Sequence, residues 1–152
     1  MRQKKKQIFY KTNEEVELIR ENCLIVSKAL ALVGSLLKPG ITGEKIDKEA
    51  ETLIRDLGST PGFKGLYGFP ATLCISLNDA VVHGIPTKQE FKDGDIVSVD
   101  CGSYMNEFYG DAAYTFAIGE IPDEVNELLS VTKTALYKGI ENAVHGLSLI
   151  HI

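Results

Sequence analysis

No stretch of this 152-residue sequence approaches the roughly 18 consecutive apolar residues of a membrane span. The N-terminus also lacks the apolar core of an export signal, so no membrane partner is expected. Cysteine is scarce: Cys23, Cys74 and Cys101 are odd in number and form no C-x-x-C pair. Without an export signal such thiols are expected to stay reduced, which points to the cytoplasm. Positive charge is short as well, with 16 Lys and Arg against 21 Asp and Glu and a net charge of -5. That balance argues against a nucleic-acid binder, whose footprint is basic. The exception is the basic start, Met1 to Lys6, within a tail over residues 1–11. It reads as a solvated tip, or as a contact for an anionic surface such as the ribosome. Linkers, internal repeats and long polar tracts are missing too. What remains is 44% apolar, enough to exclude disorder and to build one domain, or a piece of one, over residues 1–152.

Thr12-x-x-Glu15 is a capping box. Val16, Ile19, Cys23, Val26, Leu30, Val33 and Leu37 follow in steps of three and four, the stripe of a long amphipathic helix that Pro39-Gly40 stops. Thr42 caps a second helix carrying Ile46, Ala50, Leu53 and Leu57, closed by Gly58. Residues 59–70 then turn irregular. Their G-x-x-G-x-x-G spacing, Gly62 to Gly68, does not match a phosphate-binding loop. A loop mixing glycine with Phe63, Tyr67 and Phe69 reads as a pocket wall or as a surface connection. Thr72 to Leu77 looks like a short buried strand, and Val81 to Pro86 resumes extended structure. On spacing alone His83 is either a structural residue or a catalytic one. Pro122 sits at the start of a further amphipathic helix, with Val125, Leu128, Leu129 and Ile140 on its stripe, running to about Val144.

The most informative stretch is Ile96 to Ile118. Val97, Val99 and Cys101 alternate with Ser98, Asp100 and Gly102; after a turn, Phe108, Gly110, Ala112, Tyr114 and Phe116 alternate with Tyr109, Asp111, Ala113 and Thr115. A period of two marks a half-buried hairpin. A two-residue loop at Met105-Asn106 places Asp100 directly opposite Asp111 on the less apolar face. Opposed side chains stand only about 4.5–5.5 Å apart at Cβ. Two carboxylates that close require either that one stay protonated or that a cation sit between them. A slipped register would instead make them ordinary solubilising residues beside a turn. With tight turns between adjacent strands, the element order implies an antiparallel sheet with amphipathic helices on one face, an α+β design.

Cys74-Ile75-Ser76-Leu77-Asn78-Asp79-Ala80-Val81-Val82-His83-Gly84-Ile85-Pro86 resembles the C-I-S-x-N-[ED]-x-V-x-H-G-I-P signature of type I methionine aminopeptidases. Asp93 to Asp100, followed by Asp111, resembles the first metal segment of the same enzymes. The resemblance covers roughly residues 10–145. It implies the N-terminal half of a pita-bread fold, and a cytosolic metallopeptidase that removes the initiator Met from the N-termini of nascent proteins. It also implies two divalent metal ions (Co, Mn, Fe or Zn), with Asp100 and Asp111 as the first two of five ligands. His83 falls on the family's substrate-binding and proton-handling histidine. Phe69 and Cys74 match positions lining the Met pocket, and Leu66 stands where a Tyr is frequent. Tyr109-Gly110 precedes Asp111 where His-Gly is common. The remaining His and two Glu would come from a second half of the fold. Residues 145–152 depart from the family pattern, so the chain is expected to be truncated and inactive, or nearly so, by itself. His145 and His151 lack the family's metal context. Two readings compete: a pita-bread peptidase acting before proline, and a non-catalytic binding module of the same fold.

Overall fold

The computed structural model describes residues 9–151. The basic start therefore lies outside the described residues, and of the expected tail only Phe9, Tyr10 and Lys11 are seen, all exposed. The first helix, α1 (Asn13–Leu36), begins as its sequence dictates. Thr12 accepts the Glu15 N–H through its hydroxyl, and the Glu15 carboxylate accepts the Thr12 N–H in return. The second, α2 (Gly43–Asp56), starts from Thr42, whose hydroxyl accepts the Lys45 N–H.

Four strands follow: β1 (Thr60–Pro61), β2 (Leu73–Leu77), β3 (Ile96–Met105) and β4 (Phe108–Ala117). All pairings are antiparallel. Central β3 meets β1 and β2 along one edge and β4 along the other. Leu73 and Ile75 of β2 join Val97, Val99 and Cys101 of β3 to form the buried face. Against it pack Ile25, Val26, Ala29 and Val33 of α1, with Ile46, Ala50 and Ile54 of α2. Both helices thus cover one face of the sheet. The other face carries Cys74, Ser98, Asp100 and Asp111.

Three expectations change. The α1 stripe is rotated from the expected one: Cys23 is exposed, and Asn22 is wholly buried instead. Burial of an amide is tolerated only when it is hydrogen-bonded. The Asn22 Nδ2 donates to the Met105 carbonyl at 2.9 Å and to the Phe108 carbonyl at 2.7 Å, and its Oδ1 accepts from Ser103 at 2.8 Å. That clamp fixes the hairpin turn at Asn106-Glu107, one residue later than expected. Both turn residues have positive φ, 54° and 66°, as a two-residue turn matched to strand twist requires. Second, residues 81–86 form no strand. The segment crosses β2 through Gly84, whose carbonyl accepts the Ile75 N–H at 2.8 Å. Third, the helix after Pro122, α3 (Asp123–Glu141), ends three residues early and buries none of its residues against the rest of the described chain.

Candidate metal and peptide site

The face of the sheet away from the helices is built in rows. Cys74 of β2, Asp100 of β3 and Ala113 of β4 lie side by side. On one side of this row Ser98 and Thr115 share a hydroxyl–hydroxyl hydrogen bond of 2.8 Å. On the other, Gly102 faces Asp111. The two carboxylates are therefore diagonal neighbours rather than directly opposed, which corrects the sequence-based register. A shift of two residues leaves every side chain on the same face, whereas a shift of one would have sent Asp111 to the core.

Asp100 is half-buried, and its Oδ1 is buried with no hydrogen-bond partner among the described residues. Burial, and then the charge of the neighbouring Asp111, push the Asp100 carboxyl up to about 6. An anionic oxygen of this kind is what a cation would satisfy. Among the described residues no group of three or more His, Cys, Asp or Glu converges in a metal-binding arrangement, so this face offers the two carboxylates. Burial, and then the Asp100 and Asp111 charges, raise the Cys74 thiol to about 11 and the Cys101 thiol to about 12. Both remain neutral thiols at neutral pH. In the metal-free chain Cys74 therefore offers the cavity a small apolar surface.

His83 follows β2 on an exposed loop with φ of 59°, a conformation that costs a non-glycine residue energy and is held by its surroundings. Its neighbour Gly84 supplies the restraint. The Gly84 N–H donates to the Ser76 hydroxyl at 3.0 Å, and a Cβ at Gly84 would lie 2.2 Å from the Ile75 carbonyl oxygen. Only glycine permits this approach.

Leu66, Phe69, Cys74, His83, Asp100 and Asp111, all six residues singled out in the sequence, line one cavity of about 560 Å³. His145 and His151 do not line it. Phe63, Tyr67 and Ile85 also line it. The first two sit in the glycine-rich loop, which is therefore a pocket wall rather than a plain connection. Phe63 reaches the sheet because Gly102 has no side chain: a Cβ there would lie 2.4 Å from the Phe63 ring. The signal for Phe63 was present in the sequence as the glycine between Asp100 and Tyr104, but its partner is 39 residues away and could not be read from spacing.

The sequence matches the profile of metallopeptidase family M24 over residues 17–152. It is 48% identical over 136 residues to a methionine aminopeptidase of Clostridium perfringens, covering 90% of this chain and 55% of the relative. It is 41% identical over 145 residues to methionine aminopeptidase 1 of Bacillus subtilis, covering 95% and 58%. The chain thus spans about half the length of the curated relatives it matches. Its fold superimposes on the crystal structure of the Thermotoga maritima methionine aminopeptidase with a TM-score of 0.87 and 37% identity, covering 91% of this chain and 55% of that one. The prolidase of Pyrococcus furiosus, 23% identical with a TM-score of 0.73, shares the fold.

Proposed function

The chain belongs to metallopeptidase family M24, and from that premise we propose that it is the N-terminal portion of a metal-dependent aminopeptidase that removes the initiator methionine from newly made proteins. The observation that carries this reading is the meeting of Asp100, Asp111, His83, Cys74 and Phe69 on a single cavity. A non-catalytic module of the same fold would have no use for a buried carboxylate oxygen left without a donor.

Asp100 and Asp111 would hold the divalent ions, and the Asp100 Oδ1 is the oxygen with an unmet need for one. Carboxylate and imidazole ligands suit Mn, Fe, Co or Zn. Held there, such ions would supply Lewis-acid chemistry for hydrolysis of the peptide bond. The chain's own residues do the rest. Phe69, Leu66 and the neutral Cys74 thiol offer the thioether side chain an apolar, polarisable pocket. His83, fixed by its glycine neighbour at the cavity rim, would hydrogen-bond the substrate amide through an imidazole nitrogen. The substrates are the N-termini of nascent proteins. The unpaired cysteines fit the reducing cytoplasm, and the basic residues Arg2, Lys4, Lys5 and Lys6 would meet the ribosome that presents the substrate.

With two carboxylates as its ligand set, this chain is expected to hold metal weakly, since each lost ligand or its support costs about 10–100-fold. Release of Met from a Met-Gly peptide by the 152-residue chain should accordingly be slow or absent. The test of the substrate class is therefore binding. The Met-Ala and Ala-Pro dipeptides are added in turn to the chain with Zn(II), and the amide NMR signals of Phe69, Cys74 and His83 are followed. A response to Met-Ala that exceeds the response to Ala-Pro supports methionine removal. Equal responses, or a preference for Ala-Pro, would contradict it.

A further inference from the structure

One part-buried carboxylate has no place in the account so far. Asp47 lies on the second turn of α2, and its Oδ1 accepts two backbone N–H groups, from Thr72 at 2.9 Å and Leu73 at 2.7 Å. Hydrogen bonds to an ionised acceptor are roughly twice as strong as neutral ones. Thr72 is wholly buried, but its hydroxyl has no hydrogen-bond partner among the described residues. The anchor of this corner is therefore the Asp47 carboxylate and not the Thr72 side chain.

The two anchored amides lie between two walls of the cavity. Phe69 comes three residues before Thr72, and Cys74 comes directly after Leu73. One helical turn beyond Asp47, Glu51 accepts from Lys64 at 2.6 Å. Helix α2 thus holds the pocket-bearing segment at both ends. The Lys64 pair is exposed, and such pairs contribute little; Asp47 is the firmer hold. Between the two holds the chain makes one short 3-10 turn, Leu66–Gly68, with Gly65, Tyr67 and Gly68 at positive φ and Tyr67 fully exposed. Backbone hydrogen bonds within residues 63–69 set the shape of this turn, and its anchors set where it sits against the sheet.

We propose that Asp47 is a positioning residue for recognition of the substrate's first side chain: by holding the Thr72 and Leu73 amides it sets the spacing of the Phe69 and Cys74 walls. This rests on the methionine pocket proposed above. Asp47 is not among the residues that line the cavity, so it reaches the site through the backbone it holds. Its loss should therefore change which side chain is preferred while leaving metal affinity alone. Loss of a carboxylate that served stability alone would lower the unfolding temperature and leave the preference intact.

The test measures affinity for Met-Ala and for Ala-Ala by calorimetry, in the presence of Mn(II), for the 152-residue chain and for Asp47→Ala and Asp47→Asn. Mn(II) affinity is measured separately. The wild-type chain should prefer Met-Ala, and Asp47→Ala should reduce that preference about tenfold with Mn(II) affinity unchanged within about twofold. Asp47→Asn, which keeps an oxygen acceptor, should recover part of the preference. It also decides the question where Asp47→Ala does not fold: a partial loss of preference supports the proposal and an unchanged one overturns it. Loss of metal affinity in parallel with peptide preference would also overturn it, since Asp47 would then act on the whole site. Absence of any Met-Ala preference in the wild-type chain would instead defeat the methionine-pocket reading itself.

Discussion

Asp100 and Asp111 lie diagonally across the β3–β4 hairpin, Asp100 beside Ala113 and Asp111 beside Gly102. This offset leaves room for the Phe63 ring over Gly102, and it still keeps both carboxylates on one cavity wall. The folded chain thereby carries a half-buried acid whose carboxyl is raised above its ordinary range.

That arrangement has a pH signature. The Asp100 carboxyl sits at about 6, above its ordinary value of 3.8. A raised carboxyl contributes stability that is fully present below about pH 4 and is lost as pH rises through about 6. Asp100→Asn, which mimics the neutral form, should therefore stabilise the metal-free chain at pH 8 and hardly change it at pH 4. After allowance for the part of Asp100 that solvent screens, the gain is about 1–2 kcal/mol. Urea unfolding of both proteins at the two pH values checks this; an equal difference at both would contradict it.

His83 pays for its position in backbone strain, with φ at 59°. His83→Gly should be more stable than His83→Ala by about 1 kcal/mol, because only glycine adopts this conformation freely. Both variants should lose the response to Met-Ala. Denaturation midpoints that coincide for the two variants would mean that the loop relaxes and Gly84 does not hold it.

The helices differ in what they contribute. Ile46 of α2 is wholly buried, whereas Leu128 and Val131 of α3 are 61% and 59% exposed. Ile46→Ala should cost about 2–5 kcal/mol, and Leu128→Ser with Val131→Ser should each change stability by less than about 0.5 kcal/mol. A large loss from either α3 substitution would show that α3 packs in solution.

Much of this was legible in local chemistry. Thr12 with Glu15, and Thr42 before Gly43, mark both helix starts because capping bonds span only three residues. The alternation from Val97 to Phe116 shows which face each carboxylate takes, because a strand's period is two. What could not be read depended on distant partners. The hairpin register follows from Asn22, 83 residues away from Met105 in sequence. The path of residues 81–86 follows from Gly84 lying against the β2 backbone, a contact that leaves no periodic trace. The apolar stripe of α3 reads as core in any pattern analysis, since amphipathicity announces a buried face without naming what buries it.

The central claim is that the Asp100 and Asp111 pair is a cation site. The measurement that tests it most directly is calorimetric titration of Mn(II) into the 152-residue chain at pH 7.5, above the Asp100 carboxyl at about 6, with Asp100→Asn as control. The account predicts saturable binding that weakens about 10–100-fold in the variant. Binding of the same strength in both proteins would contradict it, because the carboxylate with the unpartnered buried oxygen would then have no part in holding the metal.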